Sequence, residues 1–141
     1  MKEVHILLIE DNEGDIVLTL DAFEESKIRT KISVVKNGAD ALDFLFNKGH
    51  YKEEDRPDLI LLDINLPVYN GHEVLKIIKE DLSLKKIPVI ILTTSASQKD
   101  VNRAYENHSN SYVIKPIDMD DFLKAILKIE EFWLQLSKLA K

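Results

Sequence analysis

The 141-residue chain contains no cysteine, which excludes disulfide staples and thiolate chemistry and suits a reducing compartment. No apolar run approaches the roughly 18 residues of a membrane span, so the run at 87–92 reads as a strand. Glycine and proline are scarce, four of each, and they gather into no linker; repeats and low-complexity tracts are also missing. The amino terminus, Met1-Lys2-Glu3-Val4-His5, lacks the three-part layout of a signal peptide. Basic clusters are missing too. A net charge of −6 and a pI near 5.2 argue against a nucleic-acid or anionic-membrane partner. The expectation is one cytoplasmic domain spanning residues 1–141.

What is present is five short apolar runs, Val4–Ile9, Ile32–Val35, Leu59–Leu62, Val89–Leu92 and Tyr112–Ile114, alternating with longer stretches of helical period. That alternation predicts an α/β fold with a parallel sheet. Helices are expected after Asn12-Glu13-Gly14-Asp15, over Ala39–Phe46 (closing near Gly49), through Val74, Leu75 and Ile78, over Gln98–Asn107, and from Met119 onward. The segment Gly49–Pro57 reads as a long polar loop. The last helix carries two apolar stripes, Phe122, Ile126, Ile129, Trp133 and Leu136 beside Leu123, Leu127 and Leu134. This exceeds the single arc of about 100° that packing on a sheet requires. Part of that arc, Trp133 or Phe132 included, is expected to meet something outside the sheet, or to cover a larger footprint within the chain.

The runs end in Glu10-Asp11, Asn37-Gly38, Asp63, Thr93 and Lys115. Ligands of open α/β sheets bind beyond the carboxyl ends of the strands, so three carboxylates, a hydroxyl and an ammonium are expected to share one rim. Crowded carboxylates raise one another's pKa unless a cation sits among them. Mg²⁺ suits the set, because it binds through a few carboxylates together with phosphate oxygens. Asp63 is the candidate nucleophile, since an Asp carboxylate can attack a phosphoryl donor. Lys115 offers a point charge to phosphoryl oxygens and Thr93 a hydroxyl. Taken singly each residue has a plainer reading: adjacent acids are usually a solvated turn, a Lys after a strand is usually solvated, and Thr93 or Thr94 can cap a helix. Asn37-Gly38 opens a helix and carries no chemistry. Lys115-Pro116 is a candidate for a cis bond.

Four motifs carry a resemblance: Ile6-Leu7-Leu8-Ile9-Glu10-Asp11-Asn12; Pro57 through Pro67 with Asn70-Gly71; Ile87-Pro88-Val89-Ile90-Ile91-Leu92-Thr93; and Tyr112-Val113-Ile114-Lys115-Pro116. Over Ile6 to about Leu136 the chain resembles response-regulator receiver domains, the phosphoacceptor modules of two-component signalling. The resemblance implies a doubly wound, flavodoxin-like sheet of order 2-1-3-4-5 with five helices. It also implies phosphorylation of Asp63 by a histidine kinase, and Mg²⁺ held by Glu10, Asp11, Asp63 and the backbone carbonyl of Asn65. Thr93 and Lys115 would contact the phosphoryl oxygens, and Tyr112 would be the ring that turns inward when Thr93 moves. The loop 48–57, Leu92-Thr93-Thr94-Ser95 and the tail 129–134 look like the small stand-alone regulators paired with phytochrome-type histidine kinases. Members of that group tend to dimerise on the fifth-helix side, here Phe122, Ile126, Ile129, Phe132 and Trp133. Thr94 stands where the family usually has a small residue, and Asn107-His108 where it has a small pair.

The implied function is a phosphorylation-dependent signalling module with no output domain and no enzymatic turnover beyond its own phosphoryl group. It acts through protein contacts with a downstream partner. Two other readings are a constitutive binding module that has lost phosphorylation, and a Mg²⁺-dependent phosphatase with an Asp nucleophile. The complete residue set opposes the first. The second lacks a positioned acid two residues after Asp63, where Asn65 sits.

Overall fold

The computed structural model describes residues 3–26 and 28–140. Successive side chains of a strand face opposite ways, and the apolar runs are apolar at both parities, so both faces of the sheet need cover. The strands are β1 (Val4–Ile9), β2 (Thr30–Val35), β3 (Leu59–Leu62), β4 (Val89–Thr93) and β5 (Ser111–Ile114). They pair in parallel in the order β2-β1-β3-β4-β5, the doubly wound order expected. The helices are α1 (Glu13–Glu24), α2 (Gly38–Leu45), α3 (Gly71–Glu80), α4 (Gln98–Glu106) and α5 (Met119–Glu130). Leu7, Ile9, Ile60, Leu62, Val89 and Ile91 face α2, α3 and α4. Ile6, Leu8, Leu59, Leu61, Ile90 and Leu92 face α1 and α5.

Each helix starts on a side-chain cap. Asn12, Asn37, Asn70, Ser97 and Asp118 accept the backbone N–H of Asp15, Asp40, Glu73, Asp100 and Asp121 respectively, and a cap of this kind contributes about 1 kcal/mol. The second helix closes earlier than Gly49 suggested. Asn47 takes a left-handed φ of 56°, and the amides of Asn47 and Lys48 return to the carbonyls of Phe44 and Asp43, a Schellman ending. His108, at φ 67°, ends α4 the same way, with Ser109 bonded back to Ala104. A loop that uses a small residue elsewhere is thus closed here by a histidine. Within the expected loop, Gly49–Tyr51 forms a 3₁₀ turn that packs the Tyr51 ring 5.4 Å from Phe44.

Two further expectations are corrected. There is no cis peptide among the described residues, so Lys115–Pro116 is trans. The last helix is not regular to Leu136: α5 stops at Glu130 and residues Glu131–Leu136 form a π-helical turn. The wider turn breaks the four-and-three spacing, half-burying Trp133 and leaving Leu136 exposed. Phe122, Ile126 and Ile129 are buried against the sheet. They belong to the chain's own core, and of the five residues expected to face a second copy Phe132 and Trp133 remain, with the edge of Ile129 in the groove beside them.

Candidate functional site

The register brings the functional side chains together. Ile9 pairs with both Val35 and Leu62, Leu62 with Ile91, and Thr93 with Ile114. Glu10 and Asp63 therefore leave the neighbouring strands β1 and β3 at one level, with Thr93 at the end of β4 and Lys115 after β5 one and two residues further toward the carboxyl edge. Oxygen atoms from Glu10, Asp11 and Asp63 lie within 4.8 Å of one another. Glu10 and Asp63 are buried, and Asp11 is exposed at the mouth. Lys115 is buried too, and its Nζ donates to Glu10 Oε1, to Asp63 Oδ2 at 3.1 Å and to Asp15 Oδ2 at 2.9 Å. The Asn65 amide donates to Asp63 Oδ1 at 3.1 Å, fixing the acceptor carboxylate's rotamer. Gly71 is required behind it. A Cβ there would stand 2.3 Å from the Asp63 carbonyl oxygen.

The charges settle accordingly. Burial pushes the Glu10 carboxyl up to about 7, against the Lys115 hydrogen bond and with help from the Asp63 charge. Burial also opposes ionised Asp63, yet the Glu10 hydrogen bond, the Lys115 charge, the Thr93 hydroxyl and the Asn65 amide together hold it below the usual carboxylate range. Burial works against the Lys115 ammonium as well, but bonds to Glu10 and Asp15 and the carboxylate charges outweigh it and hold the proton more tightly than usual. The result is an ionised carboxylate beside a permanent cation, with a second carboxyl that gives up its proton near neutrality. Hard oxygen donors clustered in this way fit a divalent cation of the Mg²⁺ or Mn²⁺ kind.

Thr93 is fully buried, and its Oγ1 lies 3.5 Å from the Ser95 amide. Ser95 is in turn held from three sides. Its hydroxyl bonds Asp100, Asp100 Oδ1 lies 3.0 Å from Nε2 of buried His72, and the Ser95 carbonyl accepts the Tyr112 hydroxyl at 2.9 Å. A chain of polar contacts thus runs from the acceptor site through the loop after β4 to β5 and α3. All the expected site residues except Asn37-Gly38 stand at this rim. Gly38 has a packing role, since a Cβ would sit 2.1 Å from the Tyr69 carbonyl oxygen in the loop after β3. Sequence reasoning missed Asp15, His72 and Asp100: Asp15 and Asp100 stand where first-turn acids of capped helices ordinarily stand, and nothing around His72 in the sequence marks it.

A parallel order 2-1-3-4-5 with an acidic trio, a hydroxyl and an ammonium at its carboxyl edge defines a phosphoacceptor signalling module. Residues 6–127 match the response regulator receiver domain, and the chain belongs to that family; it is a two-component receiver, whose phosphoryl acceptor is an aspartate. Response regulator Rcp1 of Synechocystis sp. is 42% identical over 92% of this chain and 88% of its own length. The probable methanogenesis regulatory protein FilR2 of Methanothrix harundinacea is 43% identical over 92% and 83%. The crystal structure of the phosphorylated cyanobacterial phytochrome response regulator RcpA superposes with a TM-score of 0.97 at 39% identity, covering 99% of this chain and all of that one. The Mn²⁺-bound form of Rcp1 does so at 0.95 and 40%, covering 98% and 99%. Divalent-metal binding by the acidic pocket and a histidine kinase as partner follow from this membership. No helix among the described residues is long and apolar enough to cross a membrane.

Proposed function

We propose that Asp63 is the phosphoacceptor. One Oδ attacks the phosphorus of a phosphohistidine on the kinase, the P–N bond breaks, and the imidazole leaves with the electron pair and takes up a proton. The observation that carries this reading is the converging carboxylate trio, Glu10 and Asp63 buried and Asp11 at the mouth, with Lys115 Nζ 3.1 Å from Asp63. Glu10, Asp11, Asp63 and the Asn65 backbone carbonyl would hold Mg²⁺, which when bound neutralises the carboxylates and the charge developing on the phosphoryl oxygens. Lys115 and Thr93 grip the remaining oxygens, and the protein contributes position and charge rather than covalent chemistry. Its own reactions are limited to phosphorylation from a small donor and loss of that phosphoryl group.

Thr93 has one hydroxyl. Its oxygen accepts from the Ser95 amide, so moving the side chain toward a phosphoryl oxygen, to which the hydroxyl would donate, draws it off that amide, and the Ser95 carbonyl is what holds the Tyr112 ring. New charge at Asp63 therefore biases a loop-and-ring pair with two arrangements. Likeness to RcpA and Rcp1 supports a phytochrome-type histidine kinase as the cognate donor, in the cytoplasm. Output runs through a downstream protein and not through nucleic acid, in keeping with the net charge of −6. A second copy is the further partner. Between the edge strand β5 and α5 lies a groove of about 440 Å³ lined by Val113, Ile129, Phe132 and Trp133 among others, and Phe132 is 51% exposed.

The test is incubation with Mg²⁺ and acetyl phosphate, followed by intact mass. One base-labile phosphoryl group is expected on the wild type and none on Asp63→Asn. Equal labelling of the two proteins refutes the assignment.

A further inference from the structure

Two helices of this chain open with the same cap pattern, Asn12-Glu13-Gly14-Asp15 and Asn37-Gly38-Ala39-Asp40, and their acids do different things. At α2, Asp40 folds back onto its own cap, with Asn37 Nδ2 donating to Asp40 Oδ2 at 3.0 Å. That is the local use such an acid ordinarily has. At α1 the backbone of Asp15 makes the equivalent cap bond, 2.9 Å from Asn12 Oδ1, but its carboxylate turns away. The Asn12 backbone N–H donates to Glu10 Oε2 at 3.2 Å, and Asp15 Oδ2 accepts from Lys115 Nζ at 2.9 Å across 100 positions of sequence.

An ammonium has three N–H donors, and Lys115 directs them at Glu10, Asp15 and Asp63. Glu10 and Asp63 also belong to the trio whose oxygens converge on the cation position, whereas Asp15 does not. A divalent ion held by the trio would compete with Lys115 for Glu10 and Asp63 and would leave Asp15 as the one carboxylate undisturbed. We infer that Asp15 is a positioning residue for phosphoryl transfer: it keeps the Lys115 ammonium at the rim when the cation takes Glu10 and Asp63, with N–H donors released toward the incoming phosphoryl oxygens. Without it, Lys115 stays on the two carboxylates the reaction needs or swings into solvent. The side chain of Asp15 is 24% exposed against 4% for Lys115, so the anchor stands on the solvent side of the cation it holds. The inference rests on the reading of Asp63 as acceptor and Lys115 as its cation.

The experiment measures the limiting rate of phosphorylation at saturating Mg²⁺ and acetyl phosphate. Outer partners that orient a working group typically matter by about 10–100-fold. Asp15→Ala should lower the limiting rate by about tenfold, with Asp15→Glu recovering part of the loss and Asp40→Ala, which removes only the α2 counterpart, leaving it unchanged. In a Lys115→Ala background Asp15→Ala should have no further effect, because residues acting through one group are not additive. Asp15→Asn keeps the shape without the charge and serves if Asp15→Ala does not fold. A limiting rate within twofold of wild type in the folded Asp15 variants overturns the inference, as does an equal loss in Asp40→Ala or an undiminished loss without Lys115. Labelling of Asp63→Asn overturns instead the reading beneath it, so the two failures are distinct.

Discussion

Val68 is a β-branched residue held at a φ of 72°, in the loop between the acceptor and α3, and 73% of it is exposed. A left-handed backbone costs such a side chain roughly 1–2 kcal/mol, and an exposed valine has little packing to set against that. Three residues on, Gly71 has the opposite constraint: a Cβ meets backbone at the Asp63 carbonyl and at Ile64. The two positions should therefore respond in opposite senses. Val68→Asn, which tolerates the left-handed region, should raise the melting temperature by about 3 °C, from about 1 kcal/mol of relieved strain. Gly71→Ala should destabilise by about 1–3 kcal/mol and slow phosphorylation of Asp63, whose own backbone has to shift. Calorimetry on both variants checks this; a stabilising Gly71→Ala contradicts the close approach. Neither constraint was legible in the sequence, where Val68 is one more residue of a turn. The trio Glu10, Asp11 and Asp63, with Thr93 and Lys115, was legible because each stands within two residues of the end of an apolar run. Asp15 was not, because its meaning lies in a contact with Lys115 on a strand added last to the sheet.

At the scale of elements, all five strands and five helices were readable, since apolar runs of three to six residues and well-capped helical stretches carry their own signals. Disagreement gathers where a signal is weak or depends on packing. β2 and β5 are edge strands; β2 gained Thr30 and Lys31, and β5 gained Ser111, because ladder pairing recruits polar residues that a hydrophobic pattern leaves out. The tail misled more. A regular helix to Leu136 would have kept Ile129, Trp133 and Leu136 on one stripe, but the π-helical turn redirects Phe132, whose ring meets Trp133 edge-on at 5.2 Å. The aromatic pair and the groove beside β5 are what α5 has left to offer a second copy. Phe132→Ser should therefore weaken self-association in sedimentation velocity while leaving the melting temperature within about 2 °C, since it is a surface substitution. Trp133→Ala, cutting into the core on the α1–α5 face, should lower both. A monomer at every concentration, phosphorylated or not, refutes the dimer.

For the molecule as a whole, the acceptor site links stability, pH and metal. Burial raises the Glu10 carboxyl from 4.5 to about 7, so between those limits the folded chain binds more protons than the unfolded one, and stability falls as pH rises. Asp63 is shifted down and Lys115 up. The first contributes stability that is present above the ordinary aspartate pKa and lost only in more acid solution; the second, stability present below the ordinary lysine pKa and lost only in strong alkali. Neither changes across this window. The cation reverses the sense, because it requires Glu10 ionised: binding releases a proton below about 7, and affinity grows with pH up to that point and then levels. The metal-free protein should thus lose stability from pH 4.5 to 7, by an amount on the order of 2 kcal/mol, and its melting temperature should fall with it. The increment given by saturating Mg²⁺ should rise over the same interval and stay flat above it. Glu10→Gln, neutral throughout, removes both slopes, which assigns them to this carboxyl. Thermal melts with and without Mg²⁺ decide the matter, and a Mg²⁺ increment independent of pH from 4.5 to 7 would show that Glu10 is not the group the cation displaces a proton from.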